Sequence, residues 1–118
     1  RIIIDAKSGV TGAGRRATEF THFSFVNENI KPYKVVNHRH LPEIEEKLCY
    51  FGSYKVSFTP HLIPVSRGIL TTVHVFLKEE LTTDDLFEIY YKFYKDEPFV
   101  KVFMEAPLIS AFRWFRLW

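Results

Sequence analysis

Residues 7–17 read KSGVTGAGRRA, and the fold turns on what this glycine-rich stretch is. Residues 9–16 have the glycine spacing of a P-loop, yet Arg15 and Arg16 stand where that motif needs Lys and a magnesium-binding Ser or Thr. Gly12, Gly14 and Ala17 have the spacing of the dinucleotide fingerprint. That motif requires a strand directly before it, a helix opening on it and an acid about 20 residues further on. Here the β-branched run of residues 1–6 ends too early and no amphipathic helix follows. Both doubly wound readings fail. What remains is a long loop over 7–28, with glycines for unusual backbone angles and an Arg15-Arg16 pair that, beside backbone N–H groups, suits an anion.

Outward from this loop the chain alternates strand and helix signals. Residues 1–6 read as a buried strand. Pro42, Glu43, Glu45 and Glu46, with Leu41, Ile44, Leu48 and Phe51 at helical spacing and Gly52 as a stop, predict a helix over 42–50. Tyr54, Val56 and Phe58 alternate with polar residues, a half-buried strand over 54–59, after which Pro60 and Pro64 bracket an irregular segment. ILTTVHVFL, residues 69–77, reads as a central strand because it is apolar on both faces. Thr82 or Thr83 caps a helix ending near Pro98, and 99–105 reads as a last strand. The order predicts an α+β fold, a mixed or antiparallel sheet with helices on one face.

Bulk properties narrow the function classes. The 118 residues suit one domain around one core, and a formal charge of +2 gives no electrostatic case for nucleic acid or an anionic membrane. One cysteine, Cys49, forms no internal disulfide, and no apolar run is long enough to cross a bilayer, so a cytoplasmic setting is expected. The chain opens directly on a strand-like run without Met and reads as a piece of something longer.

Two groups carry candidate chemistry. If residues 34–40 are extended, His38 and His40 project to one face and Arg39 to the other, just before a helix N-terminus that favours neutral imidazole. A neutral histidine there could act as a base with Glu43 orienting it; equally, either histidine could be a surface or capping residue. His61 and Arg67 could bind an anion, or cap a strand and lie in solvent. His74 reads as a core or interface histidine. A zinc site is disfavoured, since Cys49 lacks a C-x-x-C partner, and no metal is expected.

Three segments, IIIDAKSGVTGAGR (2–15), NENIKPYKVVNHRHLPEIE (27–45) and FTPHLIPVSRGILTTVHV (58–75), resemble in order the second domain of the N-acetyl-γ-glutamyl-phosphate reductase family. The resemblance covers about residues 1–105. It implies the C-terminal fold of glyceraldehyde-3-phosphate and semialdehyde dehydrogenases, and an NADP(H)-dependent reduction of an acyl phosphate to a semialdehyde in arginine biosynthesis, through a thioester on cysteine. By the same resemblance Thr11, Gly12 and Gly14 would face the cofactor, while Arg15, Arg39, His61 and Arg67 would face the substrate. His38 and His40 would supply the acid–base group, with Glu43 behind.

The family's Pro-Gly-Cys-Tyr-type nucleophile motif and its cofactor domain are absent from this sequence, so the 118 residues alone are expected to be inactive. Residues 1–106 then form the substrate-binding and dimerisation domain, and 107–118, ending SAFRWFRLW, an atypical truncated tail; a basic-aromatic anchor is the alternative. Expected partners are the acyl phosphate, the cofactor domain of the same enzyme and a second copy, with no nucleic acid and no membrane. Two alternatives stay open: reduction of the aminoadipate analogue in lysine biosynthesis, one methylene longer, or a non-catalytic α+β module binding anions or single-stranded nucleic acid. One arrangement underlies the leading reading, namely that residues 11–15 and 38–40 share a cavity.

Overall fold

The computed structural model describes residues 1–16 and 18–109; Ala17 and 110–118, including most of the expected tail, lie outside the described residues. The chain divides into two compact units, one from Arg1 to Phe76 and one from Leu77 onward, where the sequence suggested a single core.

The first unit is built on a four-stranded mixed sheet in the order β2-β3-β1-β4, which makes the fold α+β as expected. Strand β1 (Ile2–Ser8) pairs in parallel with β3 (Val56–Leu62), Ile2 opposite Val56 and Ser8 opposite Leu62. On its other side β1 pairs antiparallel with β4 (Ile69–Val75), Ile2 opposite Val75. Two residues form β2, Lys31–Pro32, antiparallel to β3. Strand alternation sorts the residues by face. Ile2, Ile4 and Ala6 share one face with Val56, Phe58, Pro60 and Leu62, whereas Asp5, Lys7, Thr59 and His61 share the other. Ala6 and Pro60 are the buried centre of the first face, and Val26 is buried elsewhere in this unit.

Pro60 was expected to end its strand, yet β3 runs through it to Leu62. The Pro60 carbonyl accepts from the Tyr33 N–H at 3.0 Å on the β2 side. The N–H and C=O of one strand residue point the same way, so the bond that proline cannot donate is lost toward β2 and not toward β1. The β1–β3 ladder is therefore intact, and β2 stops at Pro32. A second correction concerns β4. It is an edge strand and all seven of its residues are exposed, although its apolar sequence reads as central.

Residues 7–28 are more ordered than a loop. Strand β1 extends to Ser8, 3₁₀ turns form at Val10–Ala13 and Glu19–Thr21, and a short helix α1 spans Phe23–Val26. Helix α2 (Leu41–Cys49) carries Pro42 in its first turn with Glu43, and Lys47 in its last. In the second unit α3 (Thr83–Tyr94) opens on a capping box: the Asp85 N–H donates to Thr82 Oγ1 at 3.2 Å and the Thr82 N–H to Asp85 Oδ2 at 2.9 Å. The expected strand over 99–105 does not form. Instead the chain turns back from Glu97 to Val100, and residues 100–107 line a groove of about 410 Å³ with Leu86, Phe87 and Tyr90 of α3. Apolar alternation alone does not make a strand without a partner ladder.

Candidate active site

The histidine segment is not extended. Lys34 is left-handed (φ 44°) and residues 35–37 turn, which folds the chain back over β3. His38 is thereby buried, 9% exposed, with its ring edge-on to Phe58 (5.2 Å between centroids), Tyr33 (5.5 Å) and His40 (4.9 Å). The two histidines are neighbours, though through a turn. The backbone N–H of His40 donates to His38 Nδ1 at 3.2 Å, and the His38 carbonyl accepts from the Leu41 N–H as α2 begins. Burial pushes the His38 imidazole below its usual range, and the nearby charges of His40, Lys34 and Arg39 push it the same way. A neutral histidine at this position is thus as expected in kind. Its main cause is burial rather than the helix terminus. Glu43 lies in the first turn of α2 with no hydrogen bond or ion pair to either histidine among the described residues.

The glycine loop has a different use from an open anion nest. The N–H groups of Gly9, Val10 and Thr11 donate to the carbonyls of Gly68, Val65 and Ser66 at 2.9, 3.0 and 3.1 Å. The Thr11 hydroxyl also donates to the Ser66 carbonyl at 2.6 Å. Gly12 and Gly14 donate to Gly9 and Thr11 within the loop. Five amides that could have cradled a phosphate are engaged. Three of them, with the Thr11 hydroxyl, form a clasp that holds the segment carrying Arg67. Gly9 is the tight point, because a Cβ there would stand 2.9 Å from the Val65 carbonyl oxygen and 3.0 Å from the Arg67 nitrogen. Gly14 has φ +89° and open space around it. Arg15, Arg16 and Arg39 are exposed.

His61 stands apart from both groups. It lies on the sheet face opposite Phe58, with Nδ1 3.3 Å from Asp5 Oδ1, and Lys7 Nζ is 2.7 Å from the same oxygen. The Lys7 bond, assisted by the charges of His61 and His74, holds the Asp5 carboxyl below the usual carboxylate range. The structure therefore assembles three clusters: His38 with His40, the glycine clasp with Arg67, and Asp5 with Lys7 and His61. No hydrogen bond, ion pair or ring contact joins 11–15 to 38–40 among the described residues. The contacts the loop makes beyond itself run instead to 65–68, so no contact among the described residues supports the expected shared cavity. Sequence reasoning missed Gly9 and the aromatic walls Tyr33 and Phe58. The alternation of Phe58 could have pointed to its role, whereas the closeness of Gly9 to a segment more than 50 residues away leaves no local trace. Among the described residues no group of three or more His, Cys, Asp and Glu could hold a metal ion, and no helix is long and apolar enough to cross a membrane.

The profile described as "Semialdehyde dehydrogenase, dimerisation domain" matches residues 1–114, and the chain belongs to that family. Within it, the chain is similar to proteins named N-acetyl-gamma-glutamyl-phosphate reductase. It is 54% identical over 116 residues to one from Methanocaldococcus jannaschii (98% of this chain, 33% of the relative). It is 61% identical over 110 residues to one from Methanococcus vannielii (92% and 32%), and 50% identical over 114 residues to one from Archaeoglobus fulgidus (96% and 34%). The chain thus spans about a third of the length of these relatives.

Proposed function

We propose that this chain is the substrate-binding and dimerisation domain of an NADP(H)-dependent reductase that converts N-acetyl-glutamyl 5-phosphate to N-acetyl-glutamate 5-semialdehyde and phosphate in arginine biosynthesis. The observation that carries this reading is the identity to reductases of that name along 92–98% of the chain. The relatives' glutamyl name favours the shorter substrate over the aminoadipate analogue. The full reaction needs a cysteine nucleophile and a cofactor domain beyond these residues, working in the cytoplasm.

Within that enzyme the chain contributes positioning and protons. Hydride addition to a thioester leaves a thiohemiacetal oxyanion whose collapse to the aldehyde expels the cysteine sulfur, and an imidazolium from the His38–His40 pair gives its proton to that departing thiolate. Glu43, in the first turn of α2 and without a hydrogen bond or ion pair to either ring among the described residues, would act on that pair only through its charge. Arg15, Arg39 and Arg67 offer guanidinium charge to the acyl phosphate and to the departing phosphate. His61, on the other sheet face beside Asp5, is a further substrate-binding group. Thr11, Gly12 and Gly14 would hold the nicotinamide end of the cofactor, which supplies the hydride. Pairing of copies suits the open strand β4, where Ile69, Val73 and Val75 of one face are each about half or more exposed.

The test joins these residues to a reductase cofactor domain carrying its cysteine and measures phosphate-dependent oxidation of N-acetyl-glutamate semialdehyde with NADP. Turnover is expected, with the aminoadipate analogue slower. A well-folded fusion with no turnover, or one that prefers the longer analogue, refutes the assignment.

A further inference from the structure

The two histidines differ in what their rings are free to do. His38 Nδ1 is the acceptor for the His40 backbone N–H, so the proton of neutral His38 sits on Nε2. Becoming a cation would place a second proton on Nδ1, facing an N–H donor and breaking that bond. Acting as a base at Nε2 would require the other tautomer, which puts an N–H against the same donor. Each route is closed by the same hydrogen bond. The surroundings act in the same direction. Phe58 of β3 and the Tyr33 ring wall the site, and the charged groups that bear on it, Lys34, Arg39 and His40, all disfavour an imidazolium. His40, by contrast, is exposed, and neither of its ring nitrogens has a hydrogen-bond partner among the described residues.

We propose that His38 is a positioning residue that does not exchange protons, fixed as the Nε2–H tautomer by the His40 amide, and that His40 is the member of the pair that takes and gives the proton. His38 shapes the first turn of α2 through Nδ1 and braces the His40 ring from below. The assignment of tautomers rests on geometry alone. The division of labour in turnover rests on the reductase reading above.

Two measurements separate the claims. Long-range proton–nitrogen correlation spectra of the ¹⁵N-labelled chain report both ring nitrogens of each histidine directly. Expected for His38 is a protonated Nε2 and an unprotonated Nδ1 that persist as the pH is lowered from 7.5 through the ordinary histidine range. A proton on Nδ1, or an ordinary titration of His38, overturns the proposal whether or not any enzyme is assembled. In the fusion enzyme His40→Asn is expected to lower kcat by about 10²-fold or more with KM little changed, the usual weight of a general acid–base group. His38→Asn keeps an acceptor where Nδ1 stood and is expected to retain kcat within about tenfold, while His38→Phe, which keeps the ring but not the acceptor, falls well below it. Equal loss in His38→Asn and His40→Asn overturns the division of labour. An inactive parent fusion would sink the reductase reading and leave the tautomer result standing.

Discussion

Replacing Gly9 with alanine tests whether the glycine run is a clasp or a ligand nest. The added methyl would meet three backbone atoms, Val65 O at 2.9 Å, Arg67 N at 3.0 Å and Ser66 O at 3.0 Å. None of these can rotate aside as a side chain would. Ordinary contact begins at 3.4 Å, so the 65–68 segment must retreat by about half an ångström. That shift stretches bonds now at 2.9, 3.0 and 3.1 Å to the edge of hydrogen bonding. With each bond worth a net ~0.5–1.5 kcal/mol, and overpacking added, the expected loss is about 2–3 kcal/mol. For a unit the size of Arg1–Phe76 this lowers the melting temperature by about 10 °C or more. Urea denaturation gives the free energy, and amide exchange at Val10 and Thr11 gives the mechanism, because both should exchange faster. Two controls discriminate. Gly12→Ala meets only the Ser8 hydroxyl at 3.2 Å, which can turn away, and is expected to cost under ~1 kcal/mol. Gly14→Ala pays backbone strain of ~1–3 kcal/mol at φ 89°, ψ −169°, but should leave exchange at Val10 and Thr11 unaltered. If Gly9→Ala is as mild as Gly12→Ala, or if it leaves those two amides protected, the clasp is refuted.

Two further outcomes are expected. His38 is held below the ordinary value of 6.5, so below that pH the unfolded chain binds more protons than the folded one. Its contribution is fully present above 6.5 and is lost as pH falls. The urea midpoint should therefore drop between pH 7.5 and pH 5, and less so in His38→Asn; parallel declines would contradict the buried neutral ring. Asp5 and Asp85, lowered from 3.8, add their loss only in the more acid range. In the second unit Thr82→Ala removes the cap of α3 and should cost about 1 kcal/mol, with helical circular dichroism reduced, whereas Thr83→Ala, one position inside, should leave both nearly unchanged.

How far the sequence could be read depended on whether a feature is local. Helix α2 follows from Pro42, its acids and Gly52, all within one segment, and the structure places it at Leu41–Cys49. The capping pair Thr82–Asp85 is equally local. Where partners are distant, the reading went astray in both directions. Pro60 breaks a strand pattern on paper, yet its missing N–H falls on the side where β2 has only two residues. The run 69–75 is apolar enough for a sheet centre, yet no strand pairs with its far edge among the described residues. For the site the same rule applies. The nearness of His38 and His40 was legible from a two-residue spacing, while their inequality depends on Phe58, some 20 positions away, and on one backbone amide. The glycine loop shows the sharpest contrast. Its composition advertises free N–H groups, but a free amide is a property of the folded chain, and here those of Gly9, Val10 and Thr11 go to the carbonyls of 65–68 and those of Gly12 and Gly14 to the loop itself. Under the proposed reductase reading a substrate anion would then meet the guanidinium groups rather than the loop backbone, with the loop deciding where Arg67 stands.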